Sequence, residues 1–240
     1  MSSKNMFSQH DENMQFLKVS YKGKKELTGH EELCDWYFGN RERSIEICAH
    51  RAYRDFCRRL TGISKNKPKK KNDWRKEEEE LIAEEVEKIL NNLPIGKETF
   101  DEWHKKLCNK IITKFIDCEI NLKEGTEFKY GLAQKWVNMT LKNMIVMEKW
   151  DQEMNALIEY LHVPVDNYIM EAASEDFNIL FLNKYSGKYG EYNSNVTKPW
   201  SKWDFQEYEK FQIALRGQID SPIIWEGPAW LKINNKRTKK

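Results

Sequence analysis

Apolar residues recur every three or four positions along most of the chain, which is the spacing of one face of an α-helix. The clearest runs are 77–93, 97–120 and 200–217; the first opens on four glutamates and the last ends at Gly217. Acidic residues favour the first turn of a helix, and Pro94 ends the first run. No stretch alternates with a period of two for long enough to predict a substantial sheet. The pattern therefore predicts an all-α fold.

Weaker signals fill in the rest of the chain. Residues 30–62 fit one or two helices, and a further helix is predicted from about Leu132 to Trp150. A helix, a proline-containing turn at 162–166 and another helix follow, because proline disfavours helical geometry in the residue before it. The Gly, Asn, Ser and Tyr content of 184–199 predicts the longest loop.

The length of 240 residues allows a single helical domain with a sizeable core. We expect one domain over 1–240, which could be arranged as two lobes around a cleft. One lobe would hold about 1–96 plus the C-terminal helices, and the other would hold about 97–183.

Charge is distributed unevenly although the formal net charge is only +2. Residues 65–71 contain five lysines, within a predicted basic loop at 64–73, and 232–240 is predicted to be a basic tail. Each segment would contact phosphates if the partner is a nucleic acid, and each would otherwise be a solvated segment.

Hydrophobic residues make up 40% of the chain and aromatic residues 12%, which is the content of a folded protein. No stretch approaches the roughly 20 apolar residues of a membrane span, and the N-terminus has no apolar signal region. We therefore expect a cytoplasmic protein with no membrane contact. Its five cysteines form no C-x-x-C pair and its five histidines show no ligand spacing, so we expect free thiols and neither a metal nor a cofactor.

Two segments carry the main chemical hypothesis: "GLAQKWVNMTL", 131–141, and "PVDN", 164–167. Together they resemble the helix-hairpin-helix DNA glycosylase superfamily. Gly131 matches the first glycine of the family's hairpin, Lys135 its nucleophilic lysine and Asp166 its catalytic carboxylate. The long spacing between Lys135 and Asp166 is similar to that of an archaeal branch that acts on oxidised guanine.

The resemblance implies a DNA glycosylase, with or without lyase activity, that flips a damaged or modified base out of double-stranded DNA and excises it. The DNA could be the cell's own or that of a phage. Lys135 and Asp166 would be catalytic. The residues expected to contact DNA are Gly131, Ala133, Gln134 and Asn138 at the hairpin and Lys69, Lys70 and Lys71 in the basic loop.

Simpler interpretations remain open for both residues. Lys135 could be an ordinary surface lysine, and Asp166 could simply cap the helix that follows Pro164, a role that aspartate fills readily.

Two alternative functions also remain open. Arg43 and His50, separated by six residues on a predicted helix, resemble the Arg and His signature of HEPN ribonucleases. The second alternative is a non-catalytic helical protein that binds nucleic acid. For it, the loop tyrosines Tyr185, Tyr189 and Tyr192 and the C-terminal tryptophans could stack on bases, or the tryptophans could simply anchor the chain end on the core.

Overall fold

The computed structural model describes residues 4–21, 27–39, 42–60, 68–117, 127–179, 185–187, 190–192 and 199–238. The α-helices in these ranges are α1 (Lys4–Ser20), α2 (His30–Phe38), α3 (Ile45–Phe56), α4 (Pro68–Leu90), α5 (Lys97–Asp117), α6 (Tyr130–Met147), α7 (Asp151–Leu157), α8 (Asn167–Phe177), α9 (Phe205–Arg216) and α10 (Pro222–Thr238). Short 3-10 helices span Cys57–Leu60 and Trp200–Lys202. The all-α class is confirmed.

The described strands are β1 (Tyr185–Gly187) and β2 (Gly190–Tyr192), which pair antiparallel with Tyr185 opposite Tyr192. They lie inside the segment 184–199 that was predicted to be a loop, so that prediction is wrong for these six positions. Tyr189 lies outside the described residues.

Two charged segments that were predicted to be irregular are helical. Helix α4 begins at Pro68, within the predicted basic loop, because proline suits the first turn, where a missing N–H costs nothing. Residues 61–67 lie outside the described residues. Helix α10 continues to Thr238, so the predicted tail 232–240 is the end of a helix as far as that residue.

Helix α6 forms the centre of the molecule, and every one of its residues is buried. A helix that is covered on all sides belongs to a core. Helix α3 packs on it most closely: the indole N–H of Trp136 donates to the carbonyl of Ala49 at 2.9 Å, and the Asn143 amide donates to the carbonyl of Cys48 at 3.0 Å. Helices α1, α5, α7 and α9 also contact α6.

Specific capping residues fix the ends of the helices. Ser44 accepts from the Ile47 amide to start α3, and Asp204 and Glu207 form a reciprocal capping box on α9. Glu148 ends α6 in the left-handed conformation, with φ of 56°. No helix in the described ranges has the length and apolar character needed to cross a bilayer.

Candidate active site

An extended segment, 161–165, runs through the interior between α7 and α8. Buried backbone polar groups need partners, and here side chains supply them. Gln134 donates to the carbonyl of Val165 at 3.1 Å and accepts from its amide at 3.2 Å. Asn138 and Gln212 both donate to the carbonyl of Val163, at 3.0 and 2.9 Å. The segment is thereby held in register against α6.

Asp166 follows directly and caps α8. Its Oδ1 accepts from the amides of Tyr168 and Ile169 at 2.8 and 3.0 Å. Aspartate is among the best capping residues, because its side chain satisfies amides that have no partner within the helix. The capping interpretation of Asp166 is confirmed, and this role fixes the position of its second oxygen.

That second oxygen meets Lys135. The Nζ of Lys135 donates to Oδ2 of Asp166 at 2.8 Å and to the carbonyl of Pro164 at 3.2 Å. The two side chains are only 7% and 17% exposed, so the interpretation of Lys135 as a surface lysine is wrong. The two residues that the resemblance singles out are in direct contact.

The electrostatics of this contact favour a charged carboxylate. Burial opposes ionisation of Asp166, but the charge of Lys135, its hydrogen bond and the two capping amides together lower the pKa of Asp166 below its usual value. Asp166 is therefore an anion held at the N-terminus of a helix, where a negative charge is favoured.

A row of aromatic rings begins at Tyr168, whose backbone amide bonds to Asp166. The ring of Tyr168 stacks on that of Trp230 of α10, with centroids 5.6 Å apart. Trp230 in turn contacts Phe16 of α1 edge to face, at 5.9 Å between centroids. Three elements that are distant in sequence thus place their aromatic side chains in one row that starts two residues from Asp166.

A second buried ion pair lies at the far end of this row. Lys142 contacts Glu226, and its Nζ is 4.5 Å from the centroid of the Phe16 ring. Sequence reasoning missed this pair and the role of Trp230. The available signal was the spacing of the lysines, because Lys142 lies two helical turns after Lys135 and therefore on the same face of α6.

Four of the residues expected to contact DNA are buried within the protein. Ala133, Gln134 and Asn138 are all fully buried, and the polar side chains bind the segment 163–165 and neighbouring residues. Gly131 does not turn the chain, because it lies in the first turn of α6 and its amide donates to the carbonyl of Trp203 at 3.0 Å. In this conformation these groups present no surface to a phosphate.

Glycine is needed at position 131 for close packing rather than for a turn. A Cβ at this position would lie 1.8 Å from the carbonyl oxygen of Trp200, so only glycine lets the 3-10 helix at 200–202 pack against α6.

The basic segments differ from the expectation as well. Lys69, Lys70 and Lys71 lie in the first turns of α4, and their side chains are outside the described residues. The basic residues at the end of α10 contact acidic residues of α8, as the pairs Lys232 with Asp176, Lys236 with Glu175 and Arg237 with Glu171. These contacts offset the charges of the three basic residues of 232–238, and Lys239 and Lys240 lie outside the described residues.

Arg43 and His50, which resemble a ribonuclease signature, each bond to carboxylates of other parts of the chain. Arg43 pairs with Asp35 at 2.5 Å and with Glu31 at 3.1 Å, whereas His50 bonds to Glu79 of α4 at 3.0 Å. Arg43 thus pairs with carboxylates of α2, and His50 pairs with a carboxylate of α4 that Arg75 also contacts.

A buried polar network lies behind the segment 161–165. His162 bonds to the hydroxyl of Tyr208 at 2.6 Å and to Asp101 at 2.8 Å, and His104 bonds to Asn138 at 2.8 Å. Burial lowers the pKa of His162 to about 4, so the imidazole is neutral near pH 7. In the described part of the chain, no three His, Cys, Asp or Glu side chains converge to hold a metal ion.

Fold and site together define an all-α protein with a buried lysine and aspartate pair at a helix N-terminus. No family model matches the chain, and neither a curated protein nor a solved structure shows significant similarity to it.

Proposed function

We propose that the chain is a DNA glycosylase with a helix-hairpin-helix glycosylase-like arrangement, in which Lys135 and Asp166 form the active site. The observation that supports this most directly is the 2.8 Å contact between Lys135 Nζ and Asp166 Oδ2, made by residues 31 positions apart. Groups that act on one reacting centre must lie together, and these do.

Asp166 would stabilise the transition state. Breaking an N-glycosidic bond leaves positive charge on the sugar, and a nearby carboxylate lowers the energy of that charge. The low pKa of Asp166 keeps it ionised for this task, and its place at the cap of α8 keeps it fixed.

Lys135 would supply the nucleophile. In the neutral form its Nζ can attack C1′ of the deoxyribose; a C–N bond forms, the N-glycosidic bond breaks, and the bonding electrons leave with the base, which takes up a proton. Cleavage of the C1′–O4′ bond of this adduct then opens the sugar and gives a protonated Schiff base between Lys135 and C1′. Across the sequence, counted from the ammonium form, Nζ gives up two protons, one to the departing base and one to O4′. For the attack Lys135 must separate from Asp166, which the entering nucleotide would bring about by displacement.

The aromatic row supports the same proposal. A flipped base needs flat apolar faces to replace the stacking it loses in the duplex. Tyr168 and Trp230 are partly exposed and stack on one another two residues from Asp166, and the guanidinium of Arg237 lies over the Tyr168 ring, 4.2 Å from its centroid. A base that stacks on Tyr168 would therefore displace Arg237. The partner would be double-stranded DNA with one base flipped out, and the reaction requires no cofactor.

The test is incubation of the protein with duplexes that each carry one modified base, and with modified phage DNA. Abasic sites and a borohydride-trapped protein adduct would be measured. Replacing Asp166 by Asn should lower base release by about 100-fold, in the range seen when a transition-state-stabilising group is removed. Asparagine caps helices as well as aspartate does, so α8 should keep its start.

Replacing Lys135 by Gln should abolish the trapped adduct. Lys106→Ala is the matched control, because this lysine is 69% exposed and pairs with Glu102 on the surface of α5. Circular dichroism and thermal unfolding of every variant separate loss of activity from loss of fold.

Two outcomes would contradict the proposal. Base release that is unchanged in Asp166→Asn removes its chemical basis. Salt-dependent binding to DNA without release of any base would instead indicate a nucleic-acid-binding protein.

A further inference from the structure

A large cleft opens at the other end of α6, away from Lys135 and Asp166. Its volume is about 870 Å³, and it lies between α1, the end of α6, α7 and the start of α10. Pockets that hold small ligands typically measure about 300 to 1,000 Å³. The helical rise of about 1.5 Å per residue puts Glu148 about 20 Å from Lys135 along α6, so the cleft is separate from the proposed active site.

The walls of the cleft are mainly apolar. They include Ile145 of α6, Met154 of α7 with Ile158 directly after that helix, and Ile224 and Trp225 of α10. An apolar wall of this kind favours a ligand with a hydrocarbon or aromatic body, because burial of that body removes apolar surface from water.

Carboxylates predominate among the charged groups of the cleft. Glu12, Glu148, Asp151 and Asp220 line it, and among the described lining residues His10 is the one group that can carry a positive charge. Glu148 is held in place by His10, with 2.8 Å between Nδ1 and Oε2, and by the amide of Asn13 at 2.9 Å. Partial burial and the neighbouring charge of Glu148 raise the pKa of Asp151, against the charge of His30, which lowers it.

We propose that this cleft binds a small organic cation, an amine with an apolar body, whose ammonium group lies between Glu148 and Asp151. The excess of carboxylates disfavours phosphate-bearing ligands, since an anion would face mainly like charges. The apolar body would pack against Trp225 and the isoleucines, and the indole face adds attraction for a cation. This binding site is independent of the proposed glycosylase activity.

The test uses three probes with the same phenylethyl body and different charge: 2-phenylethylamine, 2-phenylethanol and 3-phenylpropanoate. Binding is measured by isothermal titration calorimetry on the full chain at low and high salt. The amine should bind at least about tenfold more tightly than the alcohol, the carboxylate should not bind, and salt should weaken the binding of the amine.

Variants locate the site. Glu148→Gln should weaken binding of the amine about tenfold and the exposed Asp151→Asn about fivefold, as expected for charge-assisted and surface interactions respectively. Glu159→Gln makes the same change in charge next to α7 but outside the cleft, and should leave binding unchanged. Because Asp151 is exposed, its variant reports on binding even if Glu148→Gln unfolds the protein.

Equal binding of the amine and the alcohol, or absence of binding by the amine up to about 10 mM, overturns the proposal; the upper limit corresponds to less than about 3 kcal/mol of affinity. Failure of base excision would leave this result unaffected, since the two experiments share no residue.

Discussion

Helix α6 carries two buried ion pairs two turns apart, and they differ in how their carboxylates are held. Asp166 lies at a helix N-terminus, accepts from two backbone amides as well as from Lys135, and is 17% exposed. Glu226 lies inside α10, is 1% exposed, and has Lys142 as its charged partner among the described residues.

The difference indicates two separate roles. The amides of α8 continue to stabilise Asp166 when Lys135 moves away, so this pair can open, as the proposed activity would require. If Lys142 moved away, Glu226 would remain as a buried charge without compensation, which costs free energy. The pair with Lys142 therefore fixes α10 against α6. A buried ion pair can thus serve chemistry or assembly, depending on what else holds the anion.

The largest expected effect comes from breaking the inner pair. Lys142→Ala should lower the free energy of unfolding by about 4 kcal/mol, because it strands the charge of Glu226. The double variant Lys142→Met with Glu226→Leu should recover most of this loss. Denaturant unfolding measures both, and a loss below about 1 kcal/mol in the single variant would remove the distinction between the pairs.

Next in size is the packing that holds the Lys135 end of α6. Gly131→Ala should cost about 3 kcal/mol, because the new Cβ would lie 1.8 Å from the Trp200 oxygen. Gly217→Ala is the matched control: this glycine ends α9 with φ of −73°, which alanine adopts freely, and a new methyl group would meet the oxygens of Ala214 and Ile213 at 3.4 and 3.5 Å, ordinary contact distances. Alanine should therefore stabilise the protein there by up to about 1 kcal/mol, because it lowers the entropy of the unfolded chain. Thermal unfolding distinguishes the two signs.

Glu78 is a third buried carboxylic acid, and its cationic partner is farther away than those of Asp166 and Glu226. Glu78 of α4 is fully buried, its nearest described cation is Lys114 at 3.9 Å, and burial raises the pKa of Glu78 to about 8. The folded state therefore holds a proton that the unfolded state releases near pH 4.5, so this group lowers stability as pH rises from about 4.5 to 8. Glu78→Gln should raise the free energy of unfolding at pH 8 by about 2 kcal/mol and flatten its pH dependence in that window. An unchanged pH profile would show that Glu78 is charged and well paired.

The smallest effect separates capping from charge at Asp166. Asp166→Ala should be less stable than Asp166→Asn by about 1 kcal/mol, since only alanine loses the cap of α8. Equal stability of the two variants, measured by denaturant unfolding, would mean that the cap contributes little and that Lys135 alone positions the carboxylate.

Local patterns predicted much of the helical fold. The runs that became α4, α5 and α9 have regular apolar spacing and clear end signals, and the turn before Asp166 was expected from Pro164. Helix α10 was missed, because Pro228 lies inside it and charged residues end it. Its stability comes from packing on α8, which local sequence does not reveal.

In the candidate site too, local sequence predicted some features and not others. Asp166 as a cap follows from its place before a helix, whereas its contact with Lys135 was expected only from the resemblance. The pair of Lys142 with Glu226 and the stack of Tyr168 on Trp230 join distant parts of the chain. No local spacing predicts such contacts, because they depend on how α10 docks.

The side chains that bind the segment 163–165 have a consequence for its motions. The amides of Val163 and Val165 donate to Gln212 and Gln134 rather than to any strand or helix. Hydrogen exchange at these two amides should be as slow as in the core helices, although the segment has no regular secondary structure. Exchange would then require opening of the whole domain, and the carboxylate that follows would keep its place through every smaller fluctuation.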